Sequence, residues 1–283
     1  MSPSTPVWQT ARFRIDLARP QVMGIVNVTS DSFSDGGAFA DTSAALAHCE
    51  ALVAQGADLL DIGGESTRPG AHAPALDEEL ARVLPVLRHA VTLGVPVSVD
   101  TSRPEVMRAA LDLGADIVND VRSLQRPGAL QVLAAYPAAG VCLMHMRGEP
   151  CSMQQAAAYD DVVTEVAAFL RGRLAAVTGA GIAAERVLLD PGIGFAKTPA
   201  HNLELLRRQP ELLALGRPLL LGWSRKSTLG SVTGRPVGDR LAASVAAALA
   251  AVLQGAAVVR VHDVQATVDA LAVWRAAGLA GNG

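Results

Sequence analysis

The sequence lacks the features that mark several large classes of protein. Its formal net charge is only −3, and no basic stretch offers an electrostatic footprint for nucleic acid or for an anionic membrane. Only three cysteines are present and none has CxxC spacing, so we expect the reduced thiols of a cytoplasmic protein. The opening residues, MSPSTPVWQT, have neither the basic n-region nor the apolar h-region of a signal peptide. We therefore predict a cytoplasmic protein without nucleic-acid or membrane partners.

Common catalytic motifs are also missing. The first apolar strand carries no HxH and no HExxH occurs, which argues against a zinc hydrolase. The stretch GIGFAKT (192–198) is similar to a phosphate-binding loop but does not have the spacing GxxxxGK[ST]. A GxSxG nucleophile elbow is not found either. The chemistry of this chain must therefore come from another arrangement of polar groups.

The sequence does contain enough apolar material for a large core. Its 283 residues are 50% hydrophobic and 18% charged. This length fits either two domains or one α/β barrel of roughly 250 residues. One apolar run (241–259) has the length of a membrane span, but it is rich in alanine and is interrupted by Ser244, Gln254 and Gly255. We predict a helix, a glycine stop at Gly255 and a new strand there.

A weak internal repeat organises the chain into βα units. QGADLLD (55–61), LGADIVND (113–120) and QGAAVVRVH (254–262) each predict a helix that ends in glycine, a short link and an apolar strand. Eight strands are predicted in all, at residues 22–28, 58–63, 95–100, 116–121, 140–145, 187–190, 218–222 and 257–262. Because these strands are continuously apolar, they fit a parallel sheet that is covered on both faces. The predicted fold class is α/β, a TIM (β/α)8 barrel.

The predicted domain organisation is simple. A single barrel domain is expected over residues 21–283, preceded by an N-terminal segment (1–20) that forms a short hairpin or plug at the far end of the barrel. Asp41 or Thr42 is predicted to cap the first helix, and Pro104 lies where a proline at the first helical position belongs. The helix predicted over 239–254 is apolar on nearly all faces. We expect a second subunit to cover part of it, which would make the protein a homodimer.

Polar side chains follow the predicted strands at the ends that meet at one mouth of a barrel. These strand ends carry Asn27, GGESTRPG (63–70), Asp100, Asn119 with Asp120, His145, Asp190, SRKS (224–227), and Arg260 with His262. Taken singly, Asp100 also fits a helix cap and Asp190 a turn residue. Taken together, they indicate a site in which groups able to bind anions lie beside acceptors suited to a donor-rich heterocycle. The first group is Arg68, Lys226, Arg260 and His262, and the second is Asp100, Asn119 and Asp190.

These motifs carry a resemblance to a known family. MGIVNVTSDSFSDGG, DIGGESTRPG, VSVDTS, NDV, LMHM, DPGIGF, GWSRKS and RVHDV, in this order, resemble dihydropteroate synthase over roughly residues 22–278. The resemblance implies a TIM barrel of folate biosynthesis. Such an enzyme joins 6-hydroxymethyl-7,8-dihydropterin pyrophosphate to para-aminobenzoate with the help of Mg²⁺, and it releases pyrophosphate and 7,8-dihydropteroate. Three departures from the family pattern fall in loops, at Ser30, Ala196 and Glu149.

The resemblance also implies roles that fit the chemistry of a pterin. Asp190 resembles the carboxylate that accepts two adjacent N–H donors of the aminopyrimidine edge, with Asn119 and Asp100 at other edge atoms. Lys226 is implied to donate to the carbonyl side of the ring. Arg260 is implied to lie over the ring and to reach phosphate. The residues implied to be catalytic are Lys226, Asp100 and Asp190.

Positions for the metal and the second substrate are implied in the same way. Asn27 resembles the Mg²⁺ ligand, a neutral oxygen beside a cation that pyrophosphate already holds. The implied pyrophosphate binders are Thr67, Arg68 and His262, and further implied substrate-binding residues are Phe33, Phe195, and Ser227 with Lys226. A dissociative, SN1-like substitution is expected, because an aromatic amine needs no strong base and pyrophosphate is a good leaving group.

The stretch NVTSDSFSDGG (27–37) predicts a mobile lid that is anchored at Asn27 and presents Phe33 as a wall for the aminobenzoate ring. An ordinary solvent loop is the alternative. Two other functions also stay open, a pterin-binding methyltransferase and a non-catalytic pterin-binding subunit. The first has no reason for GGESTRPG or SRKS. The second would be expected to lose phosphate and metal groups such as Asn27 and Lys226, which are present.

Overall fold

The computed structural model describes residues 6–28, 37–66, 73–149, 153 and 157–279. Within these residues the strands are β1 (Val7–Gln9), β2 (Arg14–Asp16), β3 (Gln21–Asn27), β4 (Leu59–Gly63), β5 (Val97–Asp100), β6 (Ile117–Asp120), β7 (Gly140–Met144), β8 (Val187–Asp190), β9 (Leu219–Leu221) and β10 (Ala256–Val261). The α-helices are α1 (Gly37–Ala54), α2 (Leu76–Ala90), α3 (Pro104–Asp112), α4 (Ala129–Ala134), α5 (Val162–Gly179), α6 (Pro199–Arg207), α7 (Gln209–Leu213), α8 (Ser227–Thr233), α9 (Leu241–Leu253) and α10 (Val264–Ala276). Short 3₁₀ turns, Ala184–Arg186 and Val237–Asp239, precede β8 and α9.

Strands β3 to β10 close into a barrel in the order β10, β3, β4, β5, β6, β7, β8, β9. All eight neighbouring pairs are parallel. Helices follow the barrel strands and pack on their outer faces, as the continuously apolar strands require. The predicted TIM (β/α)8 barrel is confirmed.

The far end of the barrel is closed by an N-terminal hairpin. β1 and β2 pair antiparallel, with Trp8 opposite Ile15, and both side chains are buried. They pack on an inner set of side chains that we call the apolar ring: Met23, Leu59, Ile117, Cys142, Leu188, Leu220 and Val258. The indole N–H of Trp8 donates to the carbonyl of Arg186 at 2.9 Å. The predicted hairpin or plug is therefore present.

The alanine-rich run at 241–259 folds as predicted. Helix α9 ends at Leu253, Gly255 follows with a φ of 92°, and β10 begins at Ala256. Glycine adopts this left-handed geometry without the steric penalty that a Cβ would bring. In the part of the chain that the structure describes, no helix combines the length and the hydropathy needed to traverse a bilayer.

The helix starts agree with the sequence at one place and correct it at another. Pro104 is the first residue of α3, as predicted. Helix α1 begins at Gly37, so Asp41 and Thr42 lie within the helix and the prediction that one of them caps it is wrong. The four residues before Asp41, GAFA, contain two alanines, which are the best helix formers and extend the helix by a turn.

Residues two apart on a strand face the same side of the sheet, so alternate residues share the barrel interior. Four strands step in this way from the apolar ring to a polar side chain nearer the mouth: Leu59 to Asp61, Ile117 to Asn119, Leu188 to Asp190, and Val258 to Arg260. Together with Asp100 at the end of β5, these side chains form what we call the polar layer: Asp61, Asp100, Asn119, Asp190 and Arg260.

Candidate active site

The strand register aligns three of the predicted site residues at the mouth. Asn27 pairs with Gly63, Gly63 with Asp100, and Asp100 with Asn119, so these four residues are neighbours across strands β3 to β6. A Cβ added to Gly63 would come within 3.3 Å of the Cβ of Asp100. The absence of a side chain at this glycine therefore keeps the space beside Asp100 open.

Two carboxylates hold Arg260 in the polar layer. Its Nε donates to Oδ2 of Asp61 at 2.6 Å, and a terminal nitrogen donates to Oδ2 of Asp100 at 2.9 Å. The amide of Asn119 donates to the same Oδ2 of Asp61 at 3.1 Å. These contacts fix the plane of the guanidinium and the orientation of the amide before any ligand arrives.

Asp61 is a site residue that the sequence interpretation missed. The strand-end pattern does not select it, because it lies two residues before the end of β4. It is fully buried, and its Oδ1 has no hydrogen-bond partner among the described residues. An aspartate inside an apolar strand, in phase with the inward-facing Leu59, is the signal that identifies it.

Burial and charge set the ionisation of the polar layer. Burial opposes the charge of Arg260, yet the carboxylates of Asp61 and Asp100 outweigh burial and raise its pKa. The pKa of Asp100 is also raised, by burial and by the neighbouring carboxylate of Asp61, while Arg260 opposes the rise. A ligand that brings N–H donors to Asp100 would stabilise its ionised form and relieve the repulsion between the two carboxylates.

Asp190 ends β8, on the side of the barrel opposite β4. Its Oδ1 accepts the N–H of Gly192 at 2.7 Å, and its side chain is buried. Burial raises the pKa of Asp190, while the bond from Gly192 and the cations Lys226, Lys197 and Arg260 oppose the rise. The carboxylate is thus oriented by backbone and faces positive charge.

Lys226 immediately precedes α8, and its ammonium lies 4.3 Å from the centre of the Phe195 ring. Burial lowers the pKa of Lys226 to about 8, and the carboxylate of Asp190 opposes this. Phe195 belongs to an apolar cluster with Val121, Met144, Met146, Met153 and Ala196. This cluster forms an apolar wall beside the polar layer, which suits a flat ring.

The GIGFAKT stretch supplies a second buried lysine that the strand-end pattern also missed. The ammonium of Lys197 lies 2.9 Å from Nδ1 of His145 and 2.9 and 3.0 Å from the carbonyl oxygens of Gly192 and Phe195. Burial lowers the pKa of His145 to about 2, so its ring is neutral at physiological pH. Both side chains support the loop that follows Asp190.

His262 presents a neutral ring to the mouth. The hydroxyl of Ser224 accepts the backbone N–H of His262 at 3.1 Å and lies 3.0 Å from its Nδ1. The hydroxyl is therefore free to donate its own proton to Nδ1, which leaves the ring proton on Nε2. Burial lowers the pKa of His262 to about 3, and Arg260 acts in the same direction. Before a ligand binds, His262 therefore offers an N–H donor to the mouth and carries no charge.

The backbone before Lys226 is held by residues of the neighbouring units. Arg225 has a left-handed φ of 58°, and its N–H donates to Oγ of Ser244 on α9 at 3.0 Å. Its guanidinium pairs with Asp263 at 2.6 Å, and Arg240 donates to its carbonyl at 3.1 Å. A strained residue of this kind persists because several contacts fix it.

The remaining predicted positions divide into described and undescribed ones. Ser227 is exposed at the first turn of α8. Ala196 is buried with a φ of 51°, and Glu149 pairs with the buried Arg122 at 2.6 Å. Outside the described residues lie Phe33, Thr67, Arg68, Ser30 and most of the predicted lid, of which only Asn27, Val28 and Gly37 are described.

Comparison with known proteins identifies the relatives of this chain. Residues 23–262 match the family described as Pterin binding enzyme. The chain is 54% identical over 279 residues to the dihydropteroate synthase of Neisseria meningitidis serogroup B, covering 96% of this chain and 98% of that protein. A Xanthomonas albilineans dihydropteroate synthase with 4-aminobenzoic acid superposes with a TM-score of 0.92, at 52% identity over 97% of this chain and 99% of that one. A Burkholderia cenocepacia dihydropteroate synthase complexed with 7,8-dihydropteroate gives a TM-score of 0.88, at 49% identity over 98% of each chain.

Proposed function

The chain belongs to the pterin-binding enzyme family, and from this premise we propose that it works as a dihydropteroate synthase. The enzyme is then a transferase that joins 6-hydroxymethyl-7,8-dihydropterin pyrophosphate to para-aminobenzoate and releases pyrophosphate. The observation that carries the proposal is the polar layer. Two carboxylates, an amide and a guanidinium are linked by hydrogen bonds at the barrel mouth, and Asp190 faces them.

The polar layer suits the edge of a pterin. The aminopyrimidine side of the ring offers adjacent N–H donors, and the carboxylate of Asp190 is the acceptor we assign to them. Asn119 and Asp100 take other edge atoms, and the guanidinium of Arg260 offers its face to the ring. Positive charge that develops on the pterin during the reaction is stabilised by Asp100 and Asp190, which are already in place.

The reaction requires little proton chemistry from the protein. The bond between the pterin methylene carbon and the pyrophosphate oxygen breaks first, and both electrons leave with the pyrophosphate. The neutral amine of aminobenzoate then bonds to that carbon and loses one proton to solvent. Lys226 and Ser227 are assigned to the aminobenzoate carboxylate, and Phe195 to its ring. Catalysis then rests on positioning and on electrostatic preorganisation.

Asn27 is the protein ligand we assign to Mg²⁺, together with the pyrophosphate of the substrate. Mg²⁺ keeps several waters and is usually bound through one or two protein oxygens plus phosphates. The donor set fits this mode, because Asn27 offers an amide oxygen at the end of β3. The described ranges also hold no group of three or more His, Cys, Asp or Glu that could bind a metal by itself. When bound, Mg²⁺ would neutralise the leaving pyrophosphate.

The direct test is pyrophosphate release by the purified protein. Release is expected only when both substrates and Mg²⁺ are present, with one 7,8-dihydropteroate formed per pyrophosphate. Asn27→Ala is expected to raise the Mg²⁺ concentration needed for half-maximal rate, while Asn27→Asp retains an oxygen ligand and serves as the matched control. Tight pterin binding without release would favour the non-catalytic subunit. Methyl transfer from a methylated pterin would favour the methyltransferase.

A homodimer built on α9 is the quaternary structure we propose. Leu241 and Leu253, at the two ends of α9, are 47% and 69% exposed, and Val237 just before the helix is 60% exposed. The residues between them are mostly alanines, which let a second helix approach closely. Because Ser244 of the same helix holds the backbone before Lys226, dimer formation would also steady the site.

Light scattering on two charge variants tests the dimer. Ala246→Glu places a charge on the exposed face of α9 and is expected to give monomers at micromolar concentration. Val273→Glu, at a site on α10 that is 71% exposed, is the matched control and should stay dimeric. A wild-type protein with the mass of one chain would contradict the proposal.

The proposed cellular location is the cytoplasm. Cys49 and Cys142 are both buried and free, which suits a reducing compartment. Fractionation of the source cells should recover the enzyme activity with cytoplasmic markers, and recovery with a secreted or membrane fraction would contradict the location.

A further inference from the structure

Lysine is rare in this chain and confined to one place. Of 24 basic side chains only two are lysines, Lys197 and Lys226, and all others are arginines. Both lysines contact Phe195, and both oppose the burial-driven rise in the pKa of Asp190. An ammonium is a compact group with three donors, whereas a guanidinium is a wide planar fork. The role of Lys226 is assigned above, but that of Lys197 is not.

The ammonium of Lys197 is fully coordinated inside the protein. The side chain is 3% exposed, and its three N–H donors have three near acceptors, which are Nδ1 of His145 and the carbonyls of Gly192 and Phe195, with the carbonyl of His145 further away at 3.5 Å. Carbonyl oxygens only accept, so Lys197 is the donor in both of those contacts. With Nδ1 of the neutral His145 as the third acceptor, the ring proton lies on Nε2.

Each residue that accepts from Lys197 also contacts a residue of the proposed pterin site. The N–H of Gly192 donates to Oδ1 of Asp190, and the N–H of His145 donates to the carbonyl of Asp190 at 2.9 Å. The ring of Phe195 lies against Lys226. A Cβ added to Gly192 would lie 1.9 Å from the carbonyl oxygen of His145, so β7 and this loop already touch. One buried cation therefore joins the end of β7 to the whole turn from Asp190 to Phe195.

We propose that Lys197 is a positioning residue for the pterin site, which clamps the loop between Asp190 and Phe195 and keeps a positive charge beside the Asp190 carboxylate. The inference rests on the proposed function. Burial lowers the pKa of Lys197 to about 7, and Lys226 and Arg147 act in the same direction, whereas Asp190 opposes them; the neighbouring His145 is neutral. Lys197 is therefore fully charged on the acid side of pH 7, the range in which Asp190 takes up its proton. Among the groups that act on this ammonium, only Asp190 is anionic. Removal of the Lys197 charge therefore leaves Asp190 easier to protonate.

The test is calorimetric binding of 6-hydroxymethylpterin, which carries no pyrophosphate, to Lys197→Met. We expect the Kd to rise about ten- to a hundredfold, the range that corresponds to loss of a hydrogen-bonded charge. The matched control is Arg186→Met. Arg186 is a buried cation that donates to the carbonyls of Ala139 and Tyr136 near the hairpin, far from the mouth. This control should lower the Tm and leave the pterin Kd within about twofold.

The pH dependence of binding separates positioning from mere support of the fold. In Lys197→Met the loss of pterin affinity on acidification should begin at a higher pH than in the wild type, because Asp190 takes up its proton earlier. Lys197→Gln keeps a polar group in the same space and should show the same shift if the Met variant does not fold. The inference would be overturned if either folded variant bound pterin with wild-type affinity and lost that affinity at the same acidic pH as the wild type. A wild-type protein that binds no pterin would instead overturn the proposed function.

Discussion

The two ends of the barrel are made from the same strands and are built on opposite principles. At the hairpin end the interior is filled by the apolar ring, and the one polar atom of Trp8 is hydrogen bonded to a carbonyl. At the mouth, two residues further along, the interior holds carboxylates, an amide and a guanidinium. There the Oδ1 of Asp61 is buried without a partner among the described residues.

The comparison shows that residues of the close-packed core and residues of the proposed site are close neighbours on the same strands. Leu59 and Asp61 are about 7 Å apart along one strand. A buried polar atom without a partner costs about 1–3 kcal/mol, and the close-packed end can offset such a cost. Changes at the mouth should therefore affect activity with little effect on folding, and changes at the hairpin end should do the reverse.

The largest expected effect comes from removing the ammonium at the mouth. Lys226→Ala should lower kcat/KM by about a thousandfold, roughly 4 kcal/mol, because the pterin carbonyl and the aminobenzoate carboxylate both lose their proposed donor. The side chain is only partly exposed and burial disfavours its charged form, so its removal should not lower the Tm. Steady-state kinetics and a thermal melt on the same sample measure both quantities. Near-normal turnover in the folded variant would contradict the role.

The reverse experiment alters the closed end. Trp8→Phe removes the indole N–H that satisfies the carbonyl of Arg186 and leaves a gap under the apolar ring. We expect the free energy of unfolding to fall by about 2 kcal/mol, from the unsatisfied carbonyl and the lost packing. The value of kcat/KM should stay within about twofold, because the apolar ring lies between the hairpin and the polar layer. Urea unfolding measures the free energy of unfolding, and steady-state assays measure kcat/KM. If kcat/KM fell as strongly as the stability, the two ends of the barrel would not be functionally distinct.

The sequence predicts the strands, the hairpin and most residues of the mouth, but not the contacts that link the mouth residues, for physical reasons. Strands and the hairpin follow from local signals, such as continuous apolar runs and the glycine at Gly255. The polar layer depends on contacts between residues far apart in sequence. Asp61 and Arg260 are separated by most of the chain, so no local pattern links them. Lys197 was missed because its role comes from carbonyls that the loop presents only once it is folded.

The mouth should also respond to pH in a way that the closed end does not. The pKa of Lys226 is lowered by burial to about 8, so the free enzyme holds a proton there below that pH and loses it above. The kcat/KM for aminobenzoate should therefore fall about tenfold per pH unit above pH 8. The free energy of unfolding should instead rise with pH in this range. In the unfolded chain this lysine has its ordinary pKa of 10.5 and keeps the proton up to that pH, so folding releases the proton and stability rises with pH between these values.

Lys226→Arg is the control for this prediction. Its guanidinium stays charged throughout, so the decline in kcat/KM above pH 8 should disappear even if the absolute rate is low. A wild-type profile that is flat from about pH 7 to pH 10 would show that no group of the mouth titrates in this range.

The smallest effect is expected at Ala196, in the loop that follows Asp190. This alanine is buried with a φ of 51°, a region where a Cβ costs roughly 1–2 kcal/mol. Ala196→Gly removes that strain, but it also frees the unfolded chain by about 0.4–1 kcal/mol and gives up about 0.8 kcal/mol of buried methyl. The free energy of unfolding should thus change by less than about 1 kcal/mol. Because Lys197 still holds Phe195, kcat/KM should change less than about threefold.

Gly192→Ala in the same loop is the variant with which Ala196→Gly should be compared. Here a new methyl would meet the carbonyl oxygen of His145 at 1.9 Å, and the φ of 71° already disfavours any Cβ. This variant should lose pterin affinity and stability together, since the loop cannot reach His145 without displacing Lys197. If Ala196→Gly proved as damaging as Gly192→Ala, the loop would depend on alanine packing rather than on the Lys197 clamp. The mouth would then be held in the same way as the closed end, by the fit of apolar groups.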